Sequence, residues 1–120
     1  ALKRLQLADT FLKQNLYTAF YEELHKALLG FISDKLNIPV AELSKDRISD
    51  ALAAESVDGK YTDTFIGILD ACEFARYAPG ETRSKMASVY DKAIKGITNI
   101  DDFLKGKKKS INKLSRFLSL

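Results

Sequence analysis

The chain has 120 residues, 46% of them hydrophobic and 29% charged, the balance of one ordinary globular domain rather than a disordered tail. Six Gly, two Pro and no Trp argue against a sandwich or barrel that needs a turn every ten residues or so. One Cys and one His exclude an internal disulfide, a Cys-based structural zinc site and a two-His metal site. The net charge of +3 is unevenly placed: residues 101–120 carry +4, and the other hundred carry 13 basic and 14 acidic side chains. The basic pI therefore describes the tail and not the whole domain.

From Leu2 to about Gln14, Leu5, Ala8 and Leu12 recur at helical spacing, with Leu2 and Phe11 beside them, and predict a short first helix. After a connection at Gln14–Tyr17, residues Leu16, Phe20, Leu24, Ala27, Leu28, Phe31 and Leu36 keep an i, i+3 or i+4 rhythm as far as Asn37. So short a link makes these two helices antiparallel. Pro39 lacks a backbone donor and biases Ile38 away from the α region, so the second helix is expected to stop there. Ala41–Leu43 is expected to make one turn. Ser44 or Asp46 can then cap a short third helix carrying Ile48, Ala51 and Leu52 and ending near Glu55.

Ser56-Val57-Asp58-Gly59 reads as a helix-to-helix turn, since Asp-Gly is a turn signal and hairpin flanks are absent. From about Tyr61, the residues Phe65, Ile68, Leu69, Cys72 and Ala75 form a fourth stripe, expected to end at Ala78 before Pro79-Gly80. Met86, Val89, Tyr90, Ala93, Ile94 and Ile97 form a fifth, with Thr82 as its cap. Thr98 and Asp101 look like a capping box for a last helix with Ile100, Phe103, Leu104 and, after Gly106, Ile111, Leu114, Phe117 and Leu118. The expected fold class is all-α, a small bundle of about five to six helices. Its core should join Leu24, Leu28, Phe31, Phe65, Ile68, Leu69, Cys72, Val89, Tyr90 and Ile94. Residues 1–100 would form the domain and 101–120 a basic amphipathic helix or tail.

Few residues suggest chemistry. Cys72 lies on the apolar stripe, where a thiol behaves as a small hydrophobic group, and His25 lies off it and reads as a solvated helix residue. Glu22 with Glu23, and Asp101 with Asp102, are neighbours that point to different azimuths rather than paired carboxylates. No glycine-rich phosphate loop is present. No catalytic, cofactor or metal residue is therefore assigned, and the chain is not expected to be an enzyme. Asp46 to Ala78 can be drawn as helix-turn-helix, but its second helix offers Thr62, Asp63, Thr64, Asp70 and Glu73 against Lys60 and Arg76, the wrong sign for tracking phosphates. The Glu73–Gly80 string reads first as a helix cap with an anchoring ring. Its alternative reading is a partner surface of Glu73, Arg76 and Tyr77.

In the tail, Lys107, Lys108, Lys109, Lys113 and Arg116 accompany Ile111, Leu114, Phe117 and Leu118, a pattern for a basic amphipathic helix. Packing back on its own domain is the first reading, because a small bundle has flanks to cover, and contact with a membrane or partner is the second. No window is apolar for long enough to span a membrane, and Lys3 and Arg4 come too early for a secretory signal. Starting at Ala1 without a Met, the chain is expected to be a piece of a longer protein.

The string Ala19-Phe20-Tyr21-Glu22-Glu23-Leu24-His25-Lys26-Ala27-Leu28 and its continuation through Leu36-Asn37-Ile38-Pro39 resemble the C-terminal segment of BatD proteins. So do Glu42-Leu43-Ser44-Lys45-Asp46 and Leu69-Asp70-Ala71-Cys72-Glu73-Phe74-Ala75-Arg76-Tyr77-Ala78-Pro79, in the same order. BatD is the membrane-anchored member of the Bat (Bacteroides aerotolerance, oxygen tolerance) group. The likeness runs from about Ala1 to Ile97; Leu29 and Phe31 stand where Trp and Tyr are common in the family, and the tail after Ile100 is not clearly matched.

The resemblance implies a parent chain with a signal peptide, extracytoplasmic β-sandwich domains and one membrane span, with this helical domain on the cytoplasmic side. Lys3 and Arg4 agree with a cytoplasmic flank. It implies an opening tetratricopeptide-like αα-hairpin and no catalytic residue or cofactor. The implied partners are other Bat proteins with von Willebrand A-type domains or tetratricopeptide repeats, and a MoxR-type AAA ATPase. The alternative is a free-standing helical regulator, with nucleic acid as one possible ligand.

Overall fold

The structure, a computed structural model, describes the backbone of residues 2–75 and 83–118 and the side chains of residues 5–75 and 85–105. Helix α1 (Leu2–Lys13) leads to α2 (Tyr17–Leu36), a 3-10 turn (Val40–Glu42), α3 (Lys45–Ala54), α4 (Gly59–Phe74) and α5 (Arg83–Leu118). The fold is all-α, and the described residues contain no strand.

Three of the four inter-helix connections are set by local chemistry. Asn15, Asn37 and Ser56 are the three described non-glycine residues with positive φ, at 58°, 57° and 63°. Each follows the last turn of a helix. The next residue in each case donates its N–H five residues back, Leu16 to Phe11, Ile38 to Ser33 and Val57 to Leu52. This is the Schellman closure, which satisfies orphan carbonyls by placing one residue in the left-handed region. Ile38 and Val57, the residues just past two of these closures, are buried at 8% and 6% exposure, so the turn also plants an apolar anchor.

The second helix accordingly ends through Asn37 before Pro39 acts. Ser33 Oγ then donates to the Ile38 carbonyl at 2.6 Å and fixes the exit. Ser44 caps α3 by accepting from the Arg47 N–H at 3.1 Å, and Asp58 caps α4 by accepting from the Lys60 N–H at 3.0 Å.

Helix α2 is the hub and packs against α1, α3, α4, α5 and the 3-10 turn. Its buried face of Phe20, Tyr21, Leu24, Ala27, Leu28, Phe31 and Ile32 meets Leu5, Ala8 and Leu12 of α1 on one side and Phe65, Leu69 and Cys72 of α4 on the other, all within one core. The Phe31 and Phe65 rings lie 6.5 Å apart, and Phe20 sits 4.9 Å from Tyr21 and 6.3 Å from Tyr90. Tyr90 is half-buried and donates its hydroxyl to the Leu5 carbonyl at 3.1 Å, which ties α5 to α1 across 85 residues of sequence. Burial raises the Tyr90 pKa above its ordinary value, with Asp9 adding to the effect.

Two expectations for α5 are corrected. Ile94 is 38% exposed, whereas Ala93 is fully buried. The core register runs through Met86, Val89, Ala93, Gly96 and Ile100, one residue away from Ile94. A Cβ on the buried Gly96 would sit 3.5 Å from Ile68 Cδ1 of α4, an ordinary van der Waals contact. Secondly, there is no helix start at Thr98, because α5 continues as one helix of 36 residues through Gly106. Asp101 does not turn back to cap. Its Oδ1 is shielded from solvent and faces Lys35 Nζ of α2 at 2.6 Å, while Oδ2 faces Lys105 Nζ at 2.9 Å. Hydrogen bonds from Lys35 and then Lys105 hold the Asp101 pKa below the usual carboxylate range. Helix α4 ends at Phe74 with Ala75 as its C-cap, short of the expected end at Ala78; the expected cap at Thr82 lies outside the described residues.

Candidate functional site

A cleft of about 380 Å³ opens where α2, α3 and α4 meet. The Schellman turn after α2 and the 3-10 turn bring the chain back, so that Leu43, Ser44, Lys45, Asp46 and Ile48 lie beside His25 and Leu29 of α2 and Leu69 and Glu73 of α4. The floor is apolar and the mouth is charged. Lys45 Nζ pairs with Asp70 and, at 2.7 Å, with Glu73. Hydrogen bonds to Asp70 and then Glu73 raise the Lys45 pKa well above its ordinary value, so it stays a cation at any physiological pH. Glu73 also approaches His25, Oε1 to Nε2 at 3.8 Å.

His25 is thus not the solvated residue expected from its place beside the apolar stripe. Its side chain is only 18% exposed, because the α3 and α4 ends close over that flank of α2. Cys72 is buried in the core as expected, at 2% exposure. Lys45, Asp46 and Asp70 at the cleft escaped the sequence reading. The available signal was the Ser44 cap, which fixes where the first turn of α3 must sit.

Of the three residues expected to form a partner surface, Glu73 is partly exposed and engaged with Lys45, while Arg76 and Tyr77 lie outside the described residues. The side chain that stands out at this end of α4 is Phe74, 62% exposed and off the Phe65–Cys72 stripe. It is the most exposed of the large hydrophobic residues described. Positions 107, 108, 109, 113 and 116 of the basic tail lie on the helical backbone of α5, and their side chains lie outside the described residues.

Among the described residues no group of three His, Cys, Asp or Glu side chains can hold a metal ion, and no helix is long and apolar enough to cross a membrane. The fold and the site define a small all-α bundle with an ion-paired cleft and an exposed aromatic at one helix end. No family model, curated protein or solved structure matches the chain.

Proposed function

We propose that the chain is a non-catalytic protein-interaction domain, the cytoplasmic part of a membrane-anchored aerotolerance protein of the BatD type. The observation that carries this reading is where the resembling strings fall in the fold. Ala19–Pro39 spans nearly all of α2 and its exit turn, Glu42–Asp46 crosses into α3, and Leu69–Ala75 closes α4. These stretches meet around one cleft, where His25, Leu43, Ser44, Lys45, Leu69 and Glu73 are neighbours. The strings that carry the likeness most fully thus have members lining the same cleft.

Phe74 supplies the apolar anchor such a surface needs, with the paired charges of Lys45, Asp70 and Glu73 beside it in sequence or space. The partners are Bat proteins with von Willebrand A-type or tetratricopeptide-repeat domains, or the MoxR-type ATPase.

Calorimetric titration of the domain against each purified partner tests the reading. One of them should bind, and Phe74→Ala should weaken that binding at least about tenfold while leaving the melting temperature unchanged. Binding to none of the three at about 100 μM protein would refute it.

A further inference from the structure

Helix α5 passes through Gly106 without a break, so its last third has no turn with which to fold back over the bundle. A helix of 36 residues is about 54 Å long, and the molecule measures 60 Å along its longest axis against 26 and 24 Å across. The described contacts of α5 with the core run from Met86 to Leu104.

Beyond that stretch the sequence keeps an amphipathic register. At about 100° per residue, positions 111, 114, 117 and 118 (Ile, Leu, Phe, Leu) fall within an arc of about 120° that continues the line of Ile100. Positions 105, 109, 113 and 116 (Lys, Lys, Lys, Arg) share the other side, and Lys107 is the one basic residue on the apolar arc. Residues 103–120 hold six basic residues and no acidic one.

We infer that residues 105–118 of α5 form a docking helix for an anionic lipid surface. Two properties select this occupant. A second copy of the chain would bring six like charges against six, which opposes pairing along this helix. A nucleic acid would match the charge but leave the four apolar positions unused. An anionic bilayer surface takes both, the basic side at the headgroups and the apolar arc at the acyl boundary. The inference does not rest on the BatD-type reading.

The test is co-sedimentation of the 120-residue chain at low salt with vesicles of one part phosphatidylserine to two parts phosphatidylcholine, and with phosphatidylcholine alone. The chain should sediment with the acidic vesicles and not with the neutral ones. The variant Lys108→Gln/Lys109→Gln/Lys113→Gln, whose circular dichroism should match the parent, should need about a hundredfold more acidic lipid. In a chain that lacks Trp, Phe117→Trp installs a single reporter whose emission should shift to the blue on adding acidic vesicles. Equal sedimentation with both vesicles, sedimentation with neither, or an unshifted emission would overturn the proposal. So would release from acidic vesicles by an equal charge concentration of duplex DNA, or a dimer held through residues 105–118.

Discussion

Helices α2 and α5 are the two longest of the protein, at 20 and 36 residues, and they are helical for different reasons. In α2 the apolar face is enclosed by every other helix and its end is fixed by Asn37. Few of its positions are free to be anything else. In α5 the described core contacts run from Met86 to Leu104, and the sequence past them keeps Lys, Ser, Asn and Leu in an amphipathic order without a breaking Pro. Tertiary packing specifies the first helix; in the docking helix proposed for residues 105–118, propensity and pattern take that part.

The difference is sharpest for a large truncation at the hub. Phe65→Ala removes a fully buried ring facing Phe31 and should cost about 3 to 5 kcal/mol in urea unfolding, against under about 0.5 kcal/mol for Leu114→Ala in the end of α5. Similar costs at the two sites would erase the distinction between the helices. Tyr90→Phe tests the link between the packed half of α5 and α1: loss of the hydroxyl bond to Leu5 should cost about 1 kcal/mol, read from the same unfolding curves.

Asp101 joins α5 to α2 through Lys35, and its effect should be smaller, below about 1 kcal/mol for Asp101→Asn, since the Lys35 and Lys105 partners are partly solvated. Its pKa is lowered on folding, so the contribution is present above the unfolded value of about 4 and is lost as the pH falls through the still lower folded value. Parent and variant should therefore differ at pH 7 and converge near pH 2; a gap that widens in acid would contradict the assignment. Smallest of all, and of opposite sign, Ser56→Gly should stabilise by about 0.5 kcal/mol, because glycine takes φ of 63° without a Cβ penalty.

Much of the fold was legible because the stripes of Leu5–Leu12, Phe20–Phe31 and Phe65–Cys72 repeat at helical spacing and each is truly buried. The errors have specific causes. Ile94 is apolar, but it stands one step round the helix from the fully buried Ala93, and which of two adjacent apolar residues faces the core is decided by packing that residue types alone do not show. Thr98 and Asp101 looked like a cap because residue types three apart say nothing about Lys35, sixty-six positions upstream of Asp101, which takes up that carboxylate.

The helix ends were found through Pro39 and Asp58-Gly59, but the left-handed closures at Asn15, Asn37 and Ser56 do the stopping, and none of them is a glycine. The cleft was the least legible part. It is assembled by three helices, and His25 looked solvated because only the neighbours on its own helix could be read.

Continuity of α5 is the claim on which the tail's role depends, and a distance decides it. Spin labels at positions 91 and 113, with the buried Cys72 replaced by Ala, report the separation by double electron–electron resonance. An unbroken helix predicts about 33 Å between the two backbone positions. A population near 15 Å would mean a turn at Gly106 and a tail folded back on the bundle, contrary to this account.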